Sequence, residues 1–459
     1  MVKAIVQAGD RFPMYSISIT QRSIKCLSIS ANELGTWPTG LQAYDLRSSP
    51  PYWVCCSKDQ QQTTDGMKIL DDIRAMALPT QVCGLLPFFS GENEENFRLG
   101  RWGRWYGRGV AALLLVSSAL LCQDVLFASQ EYRLVASSLG DTEEINRTIE
   151  TLFCICSYTM MVLSSVHNGS KHWGTLRDVA RIDEYLEANG FRESYSCRLP
   201  GALVAATSTS VVLVAFYYVH FLSGIGARRQ CVLMLVYSLQ MLYSGVFAVY
   251  LRTVLKSLAL RIEFLNRRLD EFTRQEGPGG RRSDRENWRE LSNLIEVFCK
   301  LRYITENMNS VAGVGLLFFF GFAFYTVTNQ SYLAFSTLTA RSSSEHPDLA
   351  DTMGLSCAWV LAEAVTMAVI CSSCDCLASA ANTTSQILAR VYGKSKEFQN
   401  IIDKFLTKSI KQEVQFTAYG FFAIDNSTLF KIFSAVTTYL VILVQFKQLE
   451  DSKVEEVEV

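Results

Sequence analysis

The chain has 459 residues, 49% of them hydrophobic and 19% charged, with a formal net charge of −1 and a mean hydropathy of +0.15. A positive hydropathy on a chain of this length points away from a soluble protein and towards a membrane one. The small net charge conceals a sharp segregation, because the charges lie between apolar runs, and no nucleic-acid partner is expected.

Residues 1–70 contain Pro38, Pro50, Pro51 and the tract Gln60-Gln61-Gln62 without a sustained helical period, and read as a poorly ordered cytoplasmic tail. No signal peptide is evident, since the first apolar run begins near Val110. From Met67 to Phe89 the pattern becomes weakly amphipathic. Arg98, Arg101, Arg104 and Arg108 then lead into the first span, with Trp102, Trp105 and Tyr106 among them as an interfacial belt.

Seven apolar runs follow, at about 106–127, 148–167, 200–222, 230–252, 309–335, 353–373 and 427–446. About twenty apolar residues make a helix as long as the hydrocarbon core is thick. The second run is the weakest, diluted by Ser and Thr, so six spans remain an alternative count. The expected fold is therefore all-α and polytopic: a helical membrane domain over residues 71–446 and a short acidic tail at 447–459.

Charge asymmetry sets the orientation. With the amino terminus inside, the inner segments carry 26 Lys and Arg and the outer segments 7. The positive-inside rule then places the amino terminus in the cytoplasm and the carboxyl terminus outside. On this topology, of five glycosylation sequons only Asn146 has clear access to the lumenal machinery. Fourteen cysteines fall mostly in or beside apolar runs, and no extracellular disulfide is expected.

The inner segment between spans four and five is charged at helical spacing. Leu258, Ile262, Leu265 and Leu269 form one apolar stripe, and Leu291, Leu294, Ile295 and Phe298 another, separated by the breaker Gly277-Pro278-Gly279-Gly280. Both spans are expected to continue into the cytoplasm as amphipathic helices. Residues 375–426 could do likewise, with Ile387, Val391, Phe398, Ile401, Ile402 and Phe405 on one side. Such stripes need a partner, and copies of the same chain are the simplest one.

Enzyme chemistry finds no foothold. Cys371, Cys374 and Cys376 contain one C-x-x-C, but without a second pair or a nearby His they read as packing residues, and no metal or cofactor is expected. His167 and His172 lie near a membrane face with no carboxylate spacing that suggests a metal. No phosphate loop, G-x-S-x-G or H-E-x-x-H is present.

Polar and aromatic residues in the outer halves of the spans are more informative. They are Tyr217 and His220 in span three, Gln240 and Tyr243 in span four, Tyr325, Asn329 and Tyr332 in span five, and Trp359 and Glu363 in span six. Intramembrane polar groups usually face protein or water. Aromatic walls with a few amides and a carboxylate suit a small polar or amphipathic molecule. Tyr and Trp also serve as interfacial anchors, a role that does not explain the carboxylate of Glu363.

The last run carries Thr437, Thr438, Tyr439 and Gln445 in an otherwise apolar stretch. Its segment Thr438-Tyr439, five apolar residues, then Gln445-Phe446 resembles the signature of the insect gustatory receptors. That resemblance covers residues 70–450 in layout. It implies a ligand-gated, poorly selective cation channel in the plasma membrane of sensory neurons, built as a homo- or heterotetramer with lipid around it. The last helix of each subunit would line the pore, with Phe446 at the gate, Gln445 beside it, and Ile442, Tyr439 and Thr438 further along. The agonist would be a small tastant, a bitter compound or a sugar such as fructose, held in the outer membrane half. Two features depart from the family pattern: the long amino-terminal segment, and Ser434-Ala435 where a glycine is expected. A G-protein-coupled receptor is the alternative; it requires an outside amino terminus, and neither Asp-Arg-Tyr after span three nor Asn-Pro-x-x-Tyr in span seven is present. A transporter would need an internal repeat and broken helices.

Overall fold

A computed structural model describes residues 68–86, 89–90, 98–99, 101–132, 141–191, 227–275, 284–340, 348–391 and 413–458. All lie in one compact unit, Gln62–Val459. Among them are eight helices: α1 (Lys68–Val82), α2 (Arg101–Tyr132), α3 (Asp141–His167), α4 (Gly169–Ala188), α5 (Ala227–Gln275), α6 (Asp284–Ala340), α7 (Asp348–Val391) and α8 (Asn426–Glu458). A two-residue antiparallel pair, β1 (Phe89–Ser90) and β2 (Arg98–Leu99), sits between α1 and α2.

Six helices are long and apolar enough to cross a membrane, with windows at Gly103–Gln123, Thr148–His167, Cys231–Phe272, Arg289–Ser336, Ser356–Ala389 and Asn426–Phe446. The expected third span, with Tyr217 and His220, lies outside the described residues, as does the amino-terminal tail. The helix α1 bears out the amphipathic reading of its segment: Ile73, Met76 and Thr80 are buried at i, i+3 and i+7 against α4 and α5. Gly84 ends it at φ +73°, the left-handed conformation that glycine adopts without cost.

The centre of the bundle is α3, α5, α6 and α7, which pack on one another. At 1.5 Å per residue the 49 residues of α5 span about 74 Å and the 57 of α6 about 86 Å, each more than twice the hydrocarbon thickness. The expected helical continuation beyond the membrane is therefore present. Its partner differs from the expectation. Leu265 and Leu269 of α5, Leu294, Ile295 and Phe298 of α6, and Thr384 and Leu388 of α7 surround one small cavity. The stripes are buried within the same chain, so they do not call for a second copy. Ile387 is buried as expected, while Phe398, Ile401, Ile402 and Phe405 fall outside the described residues.

Two elements were not legible in advance. The helix α4 folds back on α5 and α6, and its buried Asp183 takes a bidentate ion pair from Arg261 of α5, Nε–Oδ1 2.6 Å and Nη2–Oδ2 2.7 Å. Arg261 also donates to the backbone carbonyl and hydroxyl of Ser257 and lies over the Phe191 ring. The second is a hairpin just before α8. Thr417 and Ala423 bridge, and Tyr419 and Gly420 take φ +52° and +82° at its tip. Asn309 of α6 accepts from the Thr417 amide at 3.0 Å, and Asn382 of α7 accepts from the Val414 amide at 3.1 Å. Asn382 also donates to the Val414 carbonyl, so its side chain mimics a strand partner. The hairpin is thereby hooked to both long helices before the chain enters α8.

Candidate ligand pocket and pore helix

The outer half of the bundle gathers most of the expected pocket residues that are described. Trp359 and Glu363 sit one turn apart on α7, and the Trp359 ring meets Tyr237 of α5 edge-on at 5.7 Å. Tyr237 in turn lies 3.5 Å from the Thr151 hydroxyl of α3. Gln240, a turn below Tyr237, donates to Ser157 of α3 at 3.3 Å and to Ser244 at 2.7 Å. On the α6 side, Tyr325 stacks on Phe153 at 5.4 Å and donates to the carbonyl and side-chain oxygens of Asn146. Asn329 donates to Glu150 at 2.6 Å and Gln330 does so at 3.3 Å.

Glu150 is the functional candidate that sequence reading passed over. It is the third residue of the expected second span and is 2% exposed, the same burial as Glu363. A carboxylate so placed was a signal of the same kind as Glu363. Tyr243 lies one turn deeper than Gln240 on α5 and packs against Tyr158 at 5.9 Å, and Tyr332 is buried near the outer end of α6. Among the described residues, the buried polar atoms of this region without a hydrogen-bond partner include Glu363 Oε2, Gln240 Oε1, Trp359 Nε1, Ser238 Oγ and Thr326 Oγ1. A buried polar group left unmatched costs about 1–3 kcal/mol and more if charged, so such a cluster asks for a ligand or water. Asn146 Nδ2 is likewise buried and unpartnered, which turns the atom a glycan would need inward.

A separate cavity lies towards the inner side, lined by Ser164, Ser165, His172, Phe247, Tyr250 and Gly315 among others. It has about 20 Å³ of room, enough for one water. His172 Nε2 bonds the Tyr250 hydroxyl while Nδ1 is unpartnered, and burial pushes its imidazole down to about 4.

The helix α8 starts on a firm cap. Asp425 accepts from the Thr428 amide at 2.8 Å, and hydrogen bonds from Ser427 and Thr428 hold its carboxyl below the usual range. Asn426 donates to Asp375 of α7 at 2.7 Å. Beyond the cap, α8 touches α6 and α7 by one face only, with Thr428, Leu429, Ile432 and Val436 inward. Of its apolar window 6% is buried, against 67% for α6. Thr438, Ile442, Gln445 and Phe446 are exposed. Tyr439 turns to the edge of the contact and meets Phe324 of α6 at 5.6 Å. Thr437 and Thr438 satisfy their hydroxyls on the carbonyls of Phe433 and Ser434. Gln445 makes no hydrogen bond among the described residues.

The 7tm chemosensory receptor family matches residues 73–450. Gustatory receptor 68a of Drosophila melanogaster is 67% identical over 391 residues, covering 85% of this chain and 99% of that one. Gustatory and pheromone receptor 32a of the same species is 36% identical over 416 residues, 84% of this chain and 87% of that one. The structure of the insect olfactory receptor OR5 from Machilis hrabei in complex with eugenol superposes with a TM-score of 0.56 at 12% identity, covering 82% of this chain and 98% of that one. The family match and these relatives define a multi-pass helical membrane chemoreceptor, and not an enzyme. Within that class, the chain belongs to the 7tm chemosensory receptor family, among the insect gustatory receptors.

Proposed function

We propose that this chain is one subunit of a ligand-gated, poorly selective cation channel of sensory neurons, in which four copies of α8 surround a common axis. The tastant, a bitter compound or a sugar such as fructose, binds among the polar and aromatic side chains in the outer half of α3, α5, α6 and α7. One observation carries the reading: the outward face of α8 presents Thr438, Ile442, Gln445 and Phe446 with nothing among the described residues to cover them. An amide facing lipid is costly unless water or protein satisfies it, and four such faces turned inward would meet pore water. A ring of Phe446 side chains closes such a pore by dewetting, and a ring of Gln445 amides offers a partial hydration shell once it opens. A ligand that favours the open form tenfold at each of four sites shifts the equilibrium by about 1.4 kcal/mol per site. The G-protein-coupled alternative stays disfavoured by the 26-to-7 charge count.

The test is whole-cell recording of Gln445→Ala and Phe446→Ala. Changed ion selectivity for the first and raised basal leak for the second are expected. If both variants reach the surface and conduct as the parent does, the pore is not lined by α8.

A further inference from the structure

We propose that the ligand of the outer polar cluster carries a protonated amine, and that Glu363 receives it. This rests on the reading of that cluster as the ligand site. Glu363 is 2% exposed inside the Ser356–Ala389 window, and its Oε2 has no partner. Among the described residues no Lys, Arg or His forms an ion pair with it. A second buried carboxylate, Glu150, is close enough to act on it electrostatically, and Glu150 is already bonded to two amides.

The unmatched atoms choose between ligand classes. Glu363 Oε2 and Gln240 Oε1 are both acceptors, and the aromatic wall of Tyr237 and Trp359 lies one turn above them. An alkylammonium brings several donors, no acceptor and one positive charge, which matches two unmatched acceptors, one of them an oxygen of a buried carboxyl. A sugar or alcohol brings acceptors as well as donors and no positive charge to set against Glu363. The unmatched donors of this region, Trp359 Nε1 and Asn146 Nδ2, suit acceptors on the ligand body. Glu363 is sealed from solvent in this structure, so amine entry requires the helices packed around it to part.

Binding to the full-length protein in lipid nanodiscs, read as a thermal shift, tests this without reference to current. The probes are arylalkyl amines from 2-phenylethylamine to quinine, each beside a neutral counterpart such as 2-phenylethanol. At least one amine is expected to bind tenfold or more tightly than its neutral counterpart. Glu363→Gln should erase that preference without weakening the alcohol, and Glu363→Asp should retain part of it. Neutral compounds binding as well as amines, no amine binding at all, or an unchanged preference in Glu363→Gln would overturn the proposal. The parent's amine-to-alcohol ratio stands even if a variant does not fold. Amine binding without any current would sink the channel reading and leave this one intact. Currents evoked only by neutral tastants, with no amine bound, would do the reverse.

Discussion

Replacing Asp183 with asparagine should cost this protein about 3 kcal/mol of stability, and replacing both Asp183 and Arg261 with apolar residues should cost far less. The pair is bidentate at 2.6 and 2.7 Å, with the Arg261 and Asp183 side chains 1% and 3% exposed. Removing one member of a buried pair leaves a desolvated charge and typically costs about 3–5 kcal/mol. The lower end applies here, because Ser257 still accepts from the guanidinium and the Phe191 ring, 5.6 Å away, still faces it. The asparagine amide would also keep one acceptor oxygen for Arg261. The double variant Asp183→Leu/Arg261→Met removes both desolvation penalties and should lie within about 1 kcal/mol of the parent. Reversible unfolding of the parent, Asp183→Leu, Arg261→Met and the double variant in mixed micelles supplies the cycle, with a coupling of about 2 kcal/mol or more expected. An Asp183→Asn protein within about 0.5 kcal/mol of the parent, or a double variant as unstable as the worse single one, would show that the contact is not what joins α4 to α5.

Acid should loosen the same inner region through His172. Its folded value of about 4 lies below the ordinary 6.5, so the unfolded chain binds the extra proton first; the stability it contributes is full above about 6.5 and falls as pH drops towards 4. The maximum loss is about 3 kcal/mol, and His172→Gln should flatten this part of the pH profile of unfolding; an unchanged profile refutes it. Gly313→Ala should push the hairpin off α6, because a Cβ there would lie 3.2 Å from the Tyr419 amide nitrogen. Helix propensity returns about 1 kcal/mol, so the readout is faster hydrogen exchange at residues 413–425 and not global stability. Gly107→Ala, whose nearest contact would be an ordinary 3.6 Å, should leave that exchange unchanged.

The spans were legible because a window of apolar residues needs no knowledge of its neighbours. The expected 148–167 and 427–446 coincide with Thr148–His167 and Asn426–Phe446 almost to the residue. The inner halves of α5 and α6 were legible for a similar reason, since Leu258 to Leu269 repeat at helical spacing whatever they pack against. What failed was the choice of partner, which periodicity does not encode. The helix α4 stayed hidden because its inward face includes His172 and Asp183, polar residues that mark no apolar stripe until Tyr250 and Arg261, each 78 residues on, are placed beside them. The hairpin had no Asn-Gly signal, and its hooks, Asn309 and Asn382, lie 108 and 32 residues away from their partners. Glu150 is matched by amides 179 and 180 residues away.

Exposure alone does not single out α8. The window of α2 is only 22% buried, and Leu113, Leu115, Val116 and Leu120 stand out from it. Those side chains are at home against lipid, and Ser117 returns its hydroxyl to the Leu114 carbonyl. On α8 the two threonines do the same, but Gln445 turns to no backbone carbonyl and has an amide with several hydrogen-bonding sites to satisfy. Chemistry therefore separates two helices that area would treat alike: α2 is solvated by lipid as it stands, whereas α8 requires water or another chain on the face that carries Gln445.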